Sequence, residues 1–298
     1  AYPSIEYQEK PTLQDTVYVA SHQNVMVRDT QQYSPPEPSL AFEDAYIPIL
    51  MFHKIDSEPD RYTVTPEQFD SILTDLYEQQ FTCITLDQYL NANFSTVPSG
   101  RKPILLTFDD ASKNQLTLES NALDRHSAVG ILEKHFDQPG FGRGAVFYIS
   151  NAGDDNKYRS PFHEVIAPRA RVKRHLQWLE EHQYDIGYHT PEHNDQTHSS
   201  PHTIKRNHRI LTQLLSYGVT YPSRDYAHPY GALPEQPSTT KTLQHIYRST
   251  MHAWGGLAPH PRNPAFSQYN IPRIEAHTNT PQWLQNQNVY VHQDSTSL

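Results

Sequence analysis

Ionisable residues recur where short apolar runs end. Asp109 and Asp110 follow a run at 104–108, and His189 follows 184–188 with His193 four residues on. His53 follows 47–52, and His228, Pro229 and Tyr230 follow 224–227. One carboxylate and two imidazoles are a common ligand set for a divalent metal with open positions. The adjacent aspartates offer two roles, one carboxylate for the metal and one free as a base. Two close carboxylates repel each other, and a cation relieves that repulsion. In a chain with 18 histidines a His-x-x-x-His pair arises easily by chance, and Asp-Asp often only caps a helix. The weight therefore falls on placement, with each group at the end of a separate strand. Thr190 reads as an N-cap and Pro191 as a first helical residue, which would put His193 in a first turn facing the same point as His189.

The elements that must position these groups alternate along the chain. Strands are expected at 47–52, 104–108, 145–149, 184–188, 224–227 and 271–276. Between them, Thr65-Pro66-Glu67-Gln68 supplies an N-cap, a proline at the first helical position and a capping-box glutamine. Phe69, Ile72, Leu73, Leu76 and Tyr77 follow at helical spacing, as do Val172, Leu176 and Leu179, and Ile204, His208, Leu211 and Leu215. Further helices are expected over 128–136 and from Thr280-Pro281. Strand-helix alternation implies a mainly parallel sheet with right-handed crossovers. If it closes into an α/β barrel, the strand C-terminal ends form one face, where ionisable residues from four strands converge. No Gly-x-Gly-x-x-Gly or Walker loop follows a strand, which argues against a nucleotide site. Residues 1–44 differ, with Gln31-Gln32 and Ser34-Pro35-Pro36-Glu37-Pro38 and little periodicity. They read as an N-terminal extension, and 45–298 as the barrel domain.

Composition narrows the partners. The chain has 298 residues, a hydrophobic fraction of 36% and a mean hydropathy of −0.74, and contains no apolar run near the ~20 residues of a membrane span. A net charge of −9 argues against nucleic acid and anionic membranes. The single cysteine, Cys83, lies among apolar neighbours and is expected to be a buried thiol. The sequence begins at Ala1. Removal of a signal peptide would account for that, and a secreted or periplasmic location is expected.

These residues resemble the polysaccharide deacetylase family, the NodB-homology or carbohydrate esterase family four enzymes. Thr107-Phe108-Asp109-Asp110 matches the family's first motif, and His189-Thr190-Pro191-Glu192-His193 matches its second. Tyr226-Ala227-His228-Pro229-Tyr230-Gly231 resembles the third, and Ile271-Pro272-Arg273-Ile274 a late segment of some members. The resemblance covers about 46–290 and implies a distorted (β/α) barrel of about seven parallel strands. It implies that Asp109 is the general base, that Asp110, His189 and His193 bind a divalent metal, and that the backbone N–H of Tyr230 stabilises an oxyanion. Zinc is the expected metal, and the same ligands accept cobalt or nickel. The expected substrate is an acetylated carbohydrate, cleaved at N-acetyl groups of an amino sugar. An O-acetyl esterase and a non-catalytic carbohydrate-binding or assembly protein are the alternatives.

Three departures from the family pattern stand out. Ala111 replaces the usual glycine after the aspartates. Ala227 replaces the arginine that orients the base, and Arg273 is the candidate substitute, grouped with Tyr230 on the oxyanion and substrate side. The late Leu-x-His acid motif is not clear. Ile49-Leu50-Met51-Phe52-His53 is instead similar to the N-terminal segment of biofilm poly-N-acetylglucosamine deacetylases, whose motif order is circularly permuted. His53 is accordingly assigned as the acid, with His277 and His292 as alternatives. Tyr188, Tyr230 and Trp254 are candidates to present ring faces to a sugar, Tyr230 foremost.

Overall fold

The structure, a computed structural model, describes residues 33–58, 60–152 and 157–293. Eight parallel strands make the main sheet: β1 (Ile49–Phe52), β2 (Phe81–Cys83), β3 (Lys102–Phe108), β4 (Ala145–Ser150), β5 (Asp185–Thr190), β6 (Asp225–Ala227), β7 (Ser249–Gly255) and β8 (Ile271–Glu275). Seven of them close a barrel in the order β1-β8-β7-β6-β5-β4-β3, with β3 pairing back to β1 from Ile49↔Leu105 to Phe52↔Phe108. β2 pairs with the first residues of β3, from Phe81↔Lys102 to Cys83↔Ile104. The helices are α1 (Pro66–Glu78), α2 (Leu86–Leu90), α3 (Ala128–Phe136), α4 (Arg169–Glu181), α5 (Pro201–Leu215), α6 (Pro237–Ile246) and α7 (Thr280–Gln285). The expected (β/α) barrel is present.

The period-two alternation of each strand divides the core. Leu50, Phe52, Leu106, Phe108, Phe147, Ile149, Ile186 and Tyr188 join the helix residues Phe69, Ile72, Leu176 and Leu211 in one cluster outside the barrel. Ile49, Leu105, Val146, Tyr148, Ala227, Met251 and Ile271 form the other, inside it. The same alternation aims Thr107 and Asp109, His189, and Arg273 inward. Gly187 belongs to that inner set because a Cβ there would sit 2.7 Å from the Tyr148 ring.

Helix starts follow their sequence signals. Thr65 and Gln68 form a reciprocal capping box on α1, Ser127 caps α3, and Ser200 caps α5 ahead of Pro201. Cys83 is buried, as its neighbours imply. The helix expected at Thr190 and Pro191 does not form. Thr190 is the last residue of β5, held in register with Ser150 and by the Ser150 hydroxyl on its carbonyl. A turn follows, with His193 at φ +50°, and the next helix waits for Ser200. Strands β2 and β7 are additions to the expected set. β7 reads Ser-Thr-Met-His-Ala-Trp-Gly and is irregular between Met251 and Gly255, so it carries little apolar periodicity. Of the extension, residues 1–32 lie outside the described residues. Residues 33–44 lie against the barrel: the Tyr33 hydroxyl donates to the Leu90 carbonyl, and Ser39 N–H donates to Arg262. Among the described residues no helix is long and apolar enough to cross a membrane.

At the strand N-terminal ends, a charged network ties β5 and β6 to α2. Asp225, fully buried, accepts from Arg248 at 2.6 Å and Ser249 at 2.5 Å, while Arg248 also reaches Asp87 at 2.6 Å. Asp185 accepts the Leu86 N–H. Burial, then Asp87 and Asp225, push the Asp185 carboxyl up to about 7. A carboxyl raised in the folded state above its unfolded value of roughly 3.9 makes stability fall as pH rises through that interval. Asp185→Asn can still accept the Leu86 bond and removes this slope. Its stability should gain steadily on the parent between about pH 4 and pH 8. Denaturant midpoints across that range measure the gain.

Candidate active site

β3 ends by delivering two carboxylates in different directions. Asp109 continues the inward alternation of Leu105 and Thr107. Asp110 then turns at φ +74° and Ala111 at φ +47°, so the Asp110 side chain faces β5. A glycine would adopt this turn freely; here alanine adopts it, with its methyl fully buried in the outer core. Asp110 Oδ1 lies 3.4 Å from His189 Nε2 and 3.3 Å from His193 Nε2. One ligand atom from each of the three residues lies within 4.8 Å of the others, and all three side chains are buried. His193 reaches this point through its left-handed turn rather than through a helix.

A second group orients the first. The His189 Nδ1 donates to the Ala227 carbonyl at 2.9 Å, which fixes the ring and turns Nε2 toward Asp110. Asp109 is gripped by Arg273 through two parallel bonds of 2.8 and 2.7 Å. The guanidinium is itself held by the His252 carbonyl at 2.8 Å and Thr107 Oγ1 at 3.1 Å. Arg273 thus supplies beside Asp109 the cation that Ala227 cannot. At 1% exposure it is enclosed in the barrel, which directs it to Asp109 rather than to the substrate side.

The other expected residues separate. His53 directly follows β1, half-buried, with its ring 5.2 Å from that of Tyr62. Tyr230 is 46% exposed at φ +57°, its ring 4.5 Å from the His193 ring. His277 follows β8 and sits 3.7 Å from Glu275, beside a narrow cleft that His53 and Tyr62 also line. His292 exchanges backbone hydrogen bonds with Gly100 and Arg101, before β3 begins. It therefore belongs to the opposite end of the barrel and cannot serve this site. His228 packs under the site against Tyr226, where burial, with His252 and His189, pushes it down to about 3. Tyr188 faces the outer core rather than a substrate.

Sequence reasoning missed Gln115. Its buried amide donates to the backbone carbonyls of both His53 and Asp109, at 2.5 Å each, and so ties the ends of β1 and β3 together. Nothing in the local pattern distinguishes it from an ordinary loop glutamine. Arg159 was likewise missed; it donates to the Asp110 carbonyl at 3.3 Å.

The charges suit a cation. Burial raises the Asp109 carboxyl, but Arg273 and then His189 outweigh it and hold the group well below the usual carboxylate range. Asp110 is likewise lowered against its burial, chiefly by His189 and His193. Burial, then His189, pushes His193 down to about 4, leaving the neutral imidazole that metal binding requires. Asp109 and Asp110 in turn raise the His189 imidazole against its burial, so the cluster favours positive charge at the point where the three ligand atoms meet. Asp110 Oδ1 and His189 Nε2 are buried without a hydrogen-bond partner. Such atoms are costly unless something binds them, and a divalent ion fits both. A cavity of about 890 Å³ at the strand N-terminal ends is lined by Asp87, Asp185, Arg224 and Arg248, and none of Asp109, Asp110, His189, His193 and Arg273 lines it.

No protein-family model matches the sequence, and no curated protein matches it. Solved structures do match in fold, and those described as deacetylases or polysaccharide deacetylases are prominent among them. The Streptococcus pyogenes deacetylase PplD, in complex with acetate, is 18% identical with a TM-score of 0.59, covering 83% of this chain and 100% of that one. IcaB from Ammonifex degensii is 15% identical with a TM-score of 0.55, covering 80% and 95%. The BpsB deacetylase domain from Bordetella bronchiseptica is 15% identical with a TM-score of 0.51, covering 81% and 98%. The chain therefore has the fold of these deacetylases, as the motifs led one to expect.

Two outcomes follow from the geometry. Purified protein should carry close to one divalent ion per chain, whereas Asp110→Asn and His193→Ala should carry well under that, read by elemental analysis. Arg273→Met leaves a buried Asp109 without its partner and should destabilise the fold by about 3–5 kcal/mol. Arg273→Lys should recover part of this but not the two-bond grip, as denaturation of the three proteins side by side will tell.

Proposed function

We propose that this protein is a metal-dependent hydrolase that removes N-acetyl groups from an amino-sugar polysaccharide or oligosaccharide. The observation that carries the reading is the pairing of two buried assemblies. Asp110, His189 and His193 converge as a ligand set, and beside them Arg273 holds Asp109 3.9 Å from His189 Nε2. The first suits a Lewis acid and the second a fixed base, and both lie at the barrel end where the strand C-termini meet.

Asp110, His189 and His193 would hold the ion, with zinc as the metal of choice. A bound divalent ion polarises an acetyl carbonyl and lowers the pKa of water. Asp109 takes the proton of the attacking water, its carboxylate aimed by Arg273. The N–H of Tyr230, presented by a left-handed turn at the mouth of the site, is suited to the developing oxyanion. His53 delivers the proton that the departing amine needs, a task for which an imidazole suits neutral pH. Its backbone tie to Asp109 through Gln115 favours it over His277, which is half-exposed and paired with Glu275. A polymer substrate fits a secreted or periplasmic location.

Acetate release tests the proposal. The protein should deacetylate N-acetylglucosamine oligomers more efficiently than acetylated xylan. Release from xylan alone would make it an O-acetyl esterase, and binding without release from either would make it a carbohydrate-binding protein. Asp109→Asn should keep its metal and lose about 10²–10⁴-fold in kcat. His53→Ala should damage amide cleavage more than cleavage of an activated aryl acetate, whose leaving group needs no proton. Equal losses on both substrates would remove His53 from the acid role.

A further inference from the structure

The cavity at the strand N-terminal ends has no part in the chemistry above. Its volume, about 890 Å³, falls within the roughly 300–1,000 Å³ of small-ligand sites. Segments far apart in sequence build it: the extension at Tyr33, α2, the α4–β5 turn, and residues 219–224, 244–248 and 268–269 ahead of β6, β7 and β8. Three of its tyrosines keep ring surface accessible. Tyr221 is 40% exposed, and Tyr33 and Tyr269 are half-buried. The hydroxyls of Tyr33 and Tyr269 donate to the carbonyls of Leu90 and Gln244, which holds both rings in place. Asn91, Gln183 and Gln244 add amide side chains to the same walls.

The charges on these walls do not balance. Arg248 is committed to Asp225 and Asp87, and Arg224 donates to the carbonyls of His245 and Ile246. Glu180 accepts the backbone N–H groups of Thr220 and Tyr221 and has no cation in contact among the described residues. Asp185 accepts only the Leu86 N–H, on Oδ2 at 3.1 Å, and likewise meets no cation. Its carboxyl is raised by burial, Asp87 and Asp225, so keeping it charged costs stability. Costs of that kind collect at binding sites. Surplus carboxylates repel phosphate and sulfate and suit an ammonium, which tyrosine faces also attract. Tyrosine rings beside planar polar side chains suit a pyranose. We propose that this cavity is a second carbohydrate site, which binds glucosamine units carrying free amines. Their ammonium groups meet Asp185 and Glu180, and a sugar ring lies against Tyr221. The choice of ligand rests on the amino-sugar reading above, because such units are the product of that reaction. A deacetylated chain held here stays on the protein without occupying the end that holds Asp110.

The probes are glucosamine pentamer, its N-acetylated counterpart and spermidine, each added to Asp109→Asn protein so that turnover is suppressed. Binding is read as slowed amide hydrogen exchange at 219–224 and 244–248, which reports this cavity separately from 189–193 and 228–231 at the other end. Half-maximal protection should need roughly tenfold less glucosamine pentamer than either other probe. Asp185→Asn, which keeps the Leu86 bond, should weaken that protection about tenfold, and Tyr221→Ala about fivefold. Equal protection by the N-acetylated pentamer or by spermidine overturns the ligand assignment. Protection confined to 189–193 and 228–231, or unchanged in Asp185→Asn, overturns the site. Acetate release by the parent without protection at this cavity overturns the site and leaves the function standing. Protection in the expected order, with no acetate released by the parent, supports the site and overturns the function.

Discussion

The ion pair between Asp109 and Arg273 is the constraint around which the strand C-terminal end of the barrel is arranged. A carboxylate with 2% exposure and a guanidinium with 1% would each be costly alone. Together they are viable only because their geometry is two-pronged and the remaining guanidinium donors find Thr107 and the His252 carbonyl. The pair joins β3 to β8 across β1, which lies hydrogen-bonded between them. Thr107 extends the same network by donating to the Leu50 carbonyl on β1. Asp109 is thus immobilised. Its basicity is lowered as a result, and under the proposed function such a group would act on water made more acidic by an ion at the neighbouring ligand set.

Backbone conformation supplies the rest of the positioning. Asp110, Ala111, His193 and Tyr230 all adopt left-handed φ values, and none is glycine. Each such residue costs on the order of 1 kcal/mol or more, a strain tolerated where surrounding contacts over-determine it. Those contacts are visible. Phe162 N–H bonds to the Ala111 carbonyl at 2.6 Å, Arg159 to that of Asp110, and Gly231 N–H closes onto His228. The turns let neighbouring residues point to different tasks, Asp109 to Arg273 and Asp110 to the histidines.

Much of this was legible in the sequence because local signals and function coincide there. Apolar runs bounded by Asp or His marked strands β1, β3, β5 and β6 together with what they present. Capping residues at Thr65 and Ser200 marked helix starts. Arg273 could be proposed because the family these motifs resemble places an arginine where Ala227 stands, and the late segment Ile271-Pro272-Arg273-Ile274 offers one. Features set by long-range contact were not legible. The turn at Thr190 carries a sound helix-start pattern, yet pairing with Ser150 on β4 overrides it. β7 is held by neighbours on both sides and needs no apolar alternation of its own. Gln115 acts through two backbone carbonyls, a role that no spacing encodes. His292 lies in a promising run, and only the barrel's polarity shows that it is at the wrong end.

The strand that bears His53 enters the barrel first in sequence and closes it last in topology. Leu50 pairs with Ile274 on one side and with Leu106 on the other, so almost the whole barrel sequence lies between its two partners. Closing so long a loop is entropically demanding and slow compared with forming the βα units between. A nascent chain must therefore hold an apolar strand, Ile-Leu-Met-Phe, unpaired on one edge until the C-terminal strand emerges. That makes the N-terminal strand the segment most exposed to misassembly during synthesis. It also means that Arg273 joins Asp109 only in the final closing event, so the buried ion pair forms last.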